Sequence, residues 1–467
     1  MAHIWHADVR IAWPAAPQRD ADDESCDPAA ELVRFGKLKT LRSLLQRLVT
    51  QHGGGALAPP LAFERWLARA ALHGAAPDVL PAGHTVDPQL VADLARTLPR
   101  EATVLIAEAL TRRSRADAER LSGGETPVDP ADTRRLVKAV KKAGKPVTAE
   151  GWTALSRAAE ALATHAQGRA EALMKPATYK VQVDTEGKNV RLCALDADGP
   201  RKPYMLISHA HYDKLKTLHD RFGSGDADER IFCVVTRYEA LRGAGFQCAV
   251  PGACFEALRT YLGNTVECFA SPLNCRFERY FSAFPSLERR FGSLGSFFEA
   301  WETIEEGSFE CNPPFVPEVM AFAQKKMETL LAKAGALSFL VVVPDWGGSQ
   351  STAEKCRASP FLCAHVTIPA SDHVFVDGAQ HRVKDRHRPS SWDTAVLLLQ
   401  NDAGRAKWPL DTPTLSRVVG ASFARAANEA VQGGAEDLGA WERRGPGRGG
   451  KKRPRAAPGG GRGRGRG

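Results

Sequence analysis

The run Phe339-Leu340-Val341-Val342-Val343 is apolar at every position, so a strand built from it must be covered on both faces. That requirement constrains the fold more than any other feature of the chain. Other runs behave alike. Candidate strands lie at Val266–Phe269, Ser308–Cys311, Ser338–Val343, His365–Ile368 and Ala395–Gln400. Between the second and third, Val319, Ala323, Met327, Leu330 and Leu331 recur on one helical face that ends at Gly335. Strands separated by helices predict an α/β sheet with its site at the strands' carboxyl ends.

The first part of the chain has a different period. Asp27-Pro28 reads as a helix cap with proline in the first turn. Leu38, Leu41, Leu45 and Leu48 follow at helical spacing until Gly53-Gly54-Gly55 stops the run. Phe63, Trp66, Leu67 and Ala70 form a second apolar face, and Asp87-Pro88 opens a third helix. Residues 101–113, 131–143 and 149–174 read the same way. Tyr179, Val181 and Val183, then Val190 and Leu192, alternate as a hairpin does. The expected organisation is a disordered lead at 1–25, a helical domain at 26–175, an α/β domain at 176–420 and a disordered linker and tail at 421–467.

Charge divides the chain again. The ten Lys/Arg between Trp441 and Gly467, against the single acid Glu442, account for all of the net +9; residues 1–440 balance at 53 basic and 53 acidic groups. The tail holds Lys451-Lys452-Arg453-Pro454-Arg455 and an alternating Arg-Gly run, with too few apolar residues to offset the entropy of ordering. Such segments serve nuclear import or hold single-stranded RNA. The ten cysteines show no metal-binding spacing and read as reduced thiols of an intracellular protein. His209 and His211 have no partner at ligand spacing, so no metal is expected. No run approaches the about 20 apolar residues that span a bilayer.

The chemistry gathers where strands end. Asn312-Pro313-Pro314-Phe315 follows the strand at 308–311. Adenine N6 is a poor nucleophile because its lone pair is delocalised into the ring. The Asn312 side-chain oxygen and the Pro313 carbonyl are two acceptors for its hydrogens, and the prolines carry no competing N–H. Phe315 offers a face on which a base can stack. Three further segments converge on the same edge. They are Phe269-Ala270-Ser271-Pro272-Leu273-Asn274, Pro344-Asp345-Trp346, and Pro369-Ala370-Ser371-Asp372-His373.

Here the sequence resembles the cap-specific adenosine N6-methyltransferases, also called phosphorylated-CTD-interacting factors. The resemblance rests on Phe269–Asn274, Ser282–Pro285, Phe291–Ser293 and Gly307–Glu310 leading into Asn312–Phe315. Gln380-His381, Thr394–Val396, Leu399–Asp402 and Ala406–Trp408 extend it, so that it runs from about residue 205 to 420. It implies a Rossmann-like sheet and S-adenosylmethionine-dependent methylation of adenosine N6, in that family on the 2′-O-methyladenosine beside the cap of mRNA, in the nucleus. It implies catalytic roles for Asn312, Pro313, Pro314 and Phe315, and a methyl-donor site at Phe269, Ala270, Ser271, Pro272 and Asn274. Glu318, Asp345, Trp346, Ser371, Asp372 and His373 would line the substrate groove. Two departures stand out. Trp5 and Trp13 are too close for the amino-terminal WW module of animal members, which leaves polymerase docking in doubt, and Gly347-Gly348-Ser349 replaces bulkier residues after Trp346. The alternatives are methylation of internal RNA or DNA adenines, or a silent RNA-binding adaptor with the same fold.

Overall fold

Every residue of the Leu337–Pro344 strand is buried, as its two apolar faces require. The computed structural model describes residues 26–52, 62–72, 80–96, 98, 100–121, 179–196, 199–200, 203–241, 248–264, 266–378, 381 and 387–432. The expected helices at 131–143 and 149–174, the lead and the Arg-Gly tail lie outside them.

Four helices come first: α1 (Pro28–Gln51), α2 (Ala62–Leu72), α3 (Pro88–Leu94) and α4 (Arg100–Leu121). The Asp27 carboxylate accepts the Ala29 N–H at 2.8 Å, and Asp87 does the same for Gln89, so both Asp-Pro pairs cap helices as expected. Leu38, Leu41, Leu45, Phe63, Trp66 and Leu90 bury together between them. The hairpin follows as β1 (Lys180–Glu186) and β2 (Asn189–Asp196), widened to a small antiparallel sheet by β3 (Gly199–Pro200) and β4 (Met205–Ser208). Helices α5 (His209–Phe222), α6 (Ala227–Leu241) and α7 (Gly252–Leu262) lead into the main sheet.

That sheet draws on β5 (Val266–Ala270), β6 (Arg279–Ser282) and β7 (Gly307–Cys311), then β8 (Leu337–Pro344), β9 (Leu362–Ile368) and β12 (Thr394–Gln400). The ribbon β10 (Val374–Val376) and β11 (His387–Pro389) stands apart from it. Helix α8 (Pro317–Leu331) joins β7 to β8, α9 (Thr352–Arg357) joins β8 to β9, and α10 (Ala421–Gln432) ends the described chain. The spatial order is β6-β5-β7-β8-β12-β9. The first four strands are parallel, while β12 runs antiparallel to both neighbours. The architecture is a mixed α/β sheet, more irregular than the strand–helix alternation alone suggests. From β5 the chain goes outward to β6 and returns to β7 on the other side. The strand order therefore reverses between β5 and β7, and such a reversal opens a crevice at the carboxyl ends.

Helices cover both faces. Phe309, Phe339, Val341 and Val343 pack with Met320, Met327 and Leu330 of α8. Leu340 and Val342 pack on the opposite face with Phe255 and Leu258 of α7 and Phe423 of α10. Helix α10 corrects the expectation that disorder begins at residue 421. Phe423 is fully buried and Ala426 nearly so on its inward face, and the alanines of the segment supply helix propensity.

The helical region shares a wall with this body. Arg237 of α6 forms a buried ion pair with Glu31 of α1, and Arg42 donates to the carbonyls of Ala240 and Leu241 at 2.5 and 2.7 Å.

At the amino edge of the main sheet, Asn401 makes a clasp. Its Oδ1 accepts the N–H groups of Leu337 and Gly404 at 3.1 and 2.9 Å, and its Nδ2 donates to the carbonyls of Lys333 and Gly335 at 3.0 and 2.7 Å. Position 404 must be glycine, since a Cβ there would lie 2.2 Å from the Leu337 carbonyl oxygen.

Candidate active site at the carboxyl edge of the sheet

Strand β7 delivers Asn312 to the reversal point. The side chain is buried, 8% exposed, and its Nδ2 donates to the Cys248 carbonyl at 3.0 Å. That bond fixes which end of the amide is which. Oδ1 is buried and takes no hydrogen bond from any described group. An acceptor left in this way costs about 1–3 kcal/mol unless something completes it. The carbonyl of Pro314 is taken by the Val316 N–H at 2.6 Å, while none of the described donors reaches the Pro313 carbonyl. Phe315 is half-buried and meets Phe375 edge to face at a centroid distance of 5.7 Å.

Glu310 and Glu267 face each other across the parallel pair β7 and β5, both fully buried. Burial pushes the Glu267 carboxyl up to about 7, against the N–H groups of Phe277 and Arg276 at 2.9 and 2.7 Å and the charge of Lys214, which pull it down. Glu310 is raised further, by burial first and by Glu267 next, and its Oε1 has no partner. Burial and the neighbouring carboxyl thus both favour the protonated form of Glu310, two residues behind Asn312.

The segment after β5 closes on itself. Asn274 Oδ1 accepts the Ser271 N–H at 2.7 Å and the Ser271 hydroxyl at 2.9 Å. From below, Lys214 of α5 donates to the carbonyls of Cys275 and Leu273 at 2.7 and 3.3 Å. Burial lowers its pKa. Phe269 packs against Phe297 and Phe298, with centroids 5.5 and 5.4 Å away. Ala270 is buried at the strand end, and Pro272 follows in the same tight turn. Ser271 and Asn274 thus shape the loop through their bonds to each other.

The remaining groove residues separate into two groups. Glu318 sits in the first turn of α8, with a buried Oε2 that has no partner. Trp346 is half-buried against the β7–β8 core. Asp345 is committed to Arg357, whose guanidinium holds its carboxyl below the usual range, with Thr367 Oγ1 at 3.3 Å. Ser371 and Asp372 are exposed and bonded to each other at 2.6 Å. His373 is turned inward, which corrects its expected place in the groove. Its Nδ1 and Nε2 lie 2.7 Å from the Pro369 carbonyl and from Thr394 Oγ1, and Phe375 and Phe423 flank the ring. Burial lowers its pKa, so it braces β9, β12 and α10 as a neutral ring.

Sequence reading missed Cys248, Lys214 and the Glu267–Glu310 pair. The carboxyls left a signal, since a glutamate inside each of two apolar strands is out of place. The other two left none, being distant in the chain. No three His, Cys, Asp or Glu among the described residues form a metal cluster, and no described helix is long and apolar enough to cross a membrane.

Fold and site together define a mixed α/β protein with an acceptor-lined corner at the point where strand order reverses. Residues 214–378 match the family described as "Phosphorylated CTD interacting factor 1 WW domain". The chain is 37% identical over 218 residues to the mRNA (2'-O-methyladenosine-N(6)-)-methyltransferase of Mus musculus, covering 43% of this chain and 30% of the relative. The protein of the same description from Homo sapiens is 39% identical over 199 residues, 40% of this chain and 28% of its own length. Over that stretch the chain is similar to the phosphorylated-CTD-interacting-factor family. It spans less than a third of the length of these curated relatives. The WW domain in the family description counts against the doubt about polymerase docking, although the matched residues form helices and sheet strands rather than a small separate module.

Proposed function

We propose that the protein transfers a methyl group from S-adenosylmethionine to N6 of adenosine in RNA, acting on the 2′-O-methyladenosine beside the cap of mRNA. The observation that carries this reading is the buried Asn312 oxygen, held in place through Cys248 and left without a donor at the strand-order reversal. An exocyclic amine supplies the donor that the site lacks. With one hydrogen on Asn312 Oδ1 and the other on the Pro313 carbonyl, the nitrogen is drawn out of conjugation toward a pyramidal shape. Phe315 and the half-buried Trp346 offer aromatic surface for the base. The bound donor supplies a methyl activated on a sulfonium. The Ser271–Asn274 turn, pinned by Lys214, is placed beside the corner to hold it. Alignment of nucleophile and methyl lowers such a barrier by at most about 7–11 kcal/mol. The acceptors also stabilise positive charge developing on nitrogen. No strong base is needed, because that nitrogen becomes acidic only once the methyl has arrived.

The same proposal includes a Rossmann-like methyltransferase sheet, a helical part at residues 26–175 followed by the α/β part from residue 176, RNA contacts through the Arg-Gly tail, and a nuclear location. The relatives' descriptions name the N6 of 2'-O-methyladenosine in mRNA, which favours a ribose-methylated RNA acceptor over DNA. The test is methyl transfer to RNAs beginning with adenosine, capped and uncapped, with and without the ribose methyl. The capped, ribose-methylated RNA should be the best acceptor. Equal transfer to uncapped RNA or to DNA overturns the cap-adjacent assignment, and no transfer to any of them overturns the enzyme.

A further inference from the structure

Trp392 is the most exposed large apolar side chain among the described residues, at 56%, against 41% for Tyr261 and 40% for Tyr204. It lies in the turn before β12. Thr394 at the start of that strand pairs with Pro344 at the end of β8 and with Ile368 at the end of β9, so the turn sits on the edge that carries Asn312. The backbone around Trp392 is pinned. Ser390 Oγ donates to the Trp392 carbonyl at 2.6 Å and accepts its N–H at 3.3 Å. The Asp393 carbonyl accepts the Asp345 N–H at 2.7 Å, and Asp393 Oδ1 accepts the Ala370 N–H at 2.8 Å. Three of the edge segments are thereby stitched together, with an indole held out into solvent. Its surroundings are polar, for Ser371, Asp372, Ser391 and Asp393 are all exposed. A protein partner would call for a contiguous apolar patch. A lone aromatic ring among hydroxyls and carboxylates suits the face of a single base, and the carboxylates disfavour a phosphate.

We propose that Trp392 is a stacking platform for a base flanking the target nucleotide in a single strand. The inference rests on the nucleic-acid reading above. Strands β7 and β12 are separated only by β8, two steps of about 4.8 Å. Stacked bases rise about 3.4 Å each, so a target drawn into the β7 corner leaves its near neighbours within reach of β12.

The test compares a short capped RNA with the same cap carrying only its first adenosine, using the full chain. Trp392→Ala should raise KM for the short RNA by at least about fivefold, the effect of losing one base–aromatic stack, with kcat unchanged. Trp392→Tyr should recover most of that loss. The penalty should vanish on the single-nucleoside acceptor and should not alter the salt dependence of binding, because no phosphate contact is lost. Equal KM for wild type and Trp392→Ala on the short RNA overturns the platform while leaving the methyltransferase intact. A wild type that methylates neither acceptor overturns both.

Discussion

Two asparagines, Asn312 at the carboxyl edge of the main sheet and Asn401 at the amino edge, stand in comparable burial at 8% and 7% exposure. Both belong to motifs that carry the family resemblance. Asn401 uses its amide fully, accepting two N–H groups and donating to two carbonyls. Asn312 makes one hydrogen bond through Nδ2 and keeps its oxygen free. The contrast separates a residue whose amide is fully used by the fold from one whose oxygen is left available, as the proposed role requires. Resemblance to a family marks both kinds alike, and hydrogen-bond completeness tells them apart.

Substitutions should break that pairing in opposite directions. Asn312→Ala should lower kcat by at least about 10²–10³-fold, the usual loss for one preorganised polar group, while the urea midpoint and donor affinity stay near wild type. An active variant, or one that unfolds early, would remove the contrast. Asn401→Ala should do the reverse. It strands the buried Leu337 and Gly404 N–H groups and should cost about 2–4 kcal/mol in urea unfolding, with unchanged kcat per folded molecule. A smaller effect sharpens the comparison from the other side. Glu267 has a folded pKa of about 7 against an ordinary 4.5. A raised carboxyl pKa gives stability that is complete below about 4.5 and is lost as pH climbs through about 7. Glu267→Gln keeps an acceptor for the Arg276 and Phe277 N–H groups but cannot ionise. Wild type should therefore lose on the order of 1–3 kcal/mol relative to the variant between about pH 5 and 8. Parallel pH profiles of the two urea midpoints would show that Glu267 does not ionise across that window.

Much of this was legible because local patterns carry it. The apolar run at 339–343, the Asp-Pro caps and the alternation at 179–192 each became the expected element. The proposed catalytic corner was legible because its chemistry lies in consecutive residues. What escaped was non-local. Cys248 reaches Asn312 across 64 positions, and Lys214 reaches the 271–275 turn from another helix. Nothing in the 394–400 run says that it will run antiparallel between β8 and β9. His373 misled because a histidine beside an exposed aspartate looks the same from sequence whether it faces a groove or the core.

The shared wall between α1 and α6 bears on how the protein can be dissected. A fragment cut to begin at residue 176 would lose Glu31 and with it the buried ion pair to Arg237. It would also bare the faces of Ile231 and Val235 that Leu32 helps to cover. The sheet end of this chain therefore leans on α1, and a fragment meant to keep its stability has to begin before Asp27.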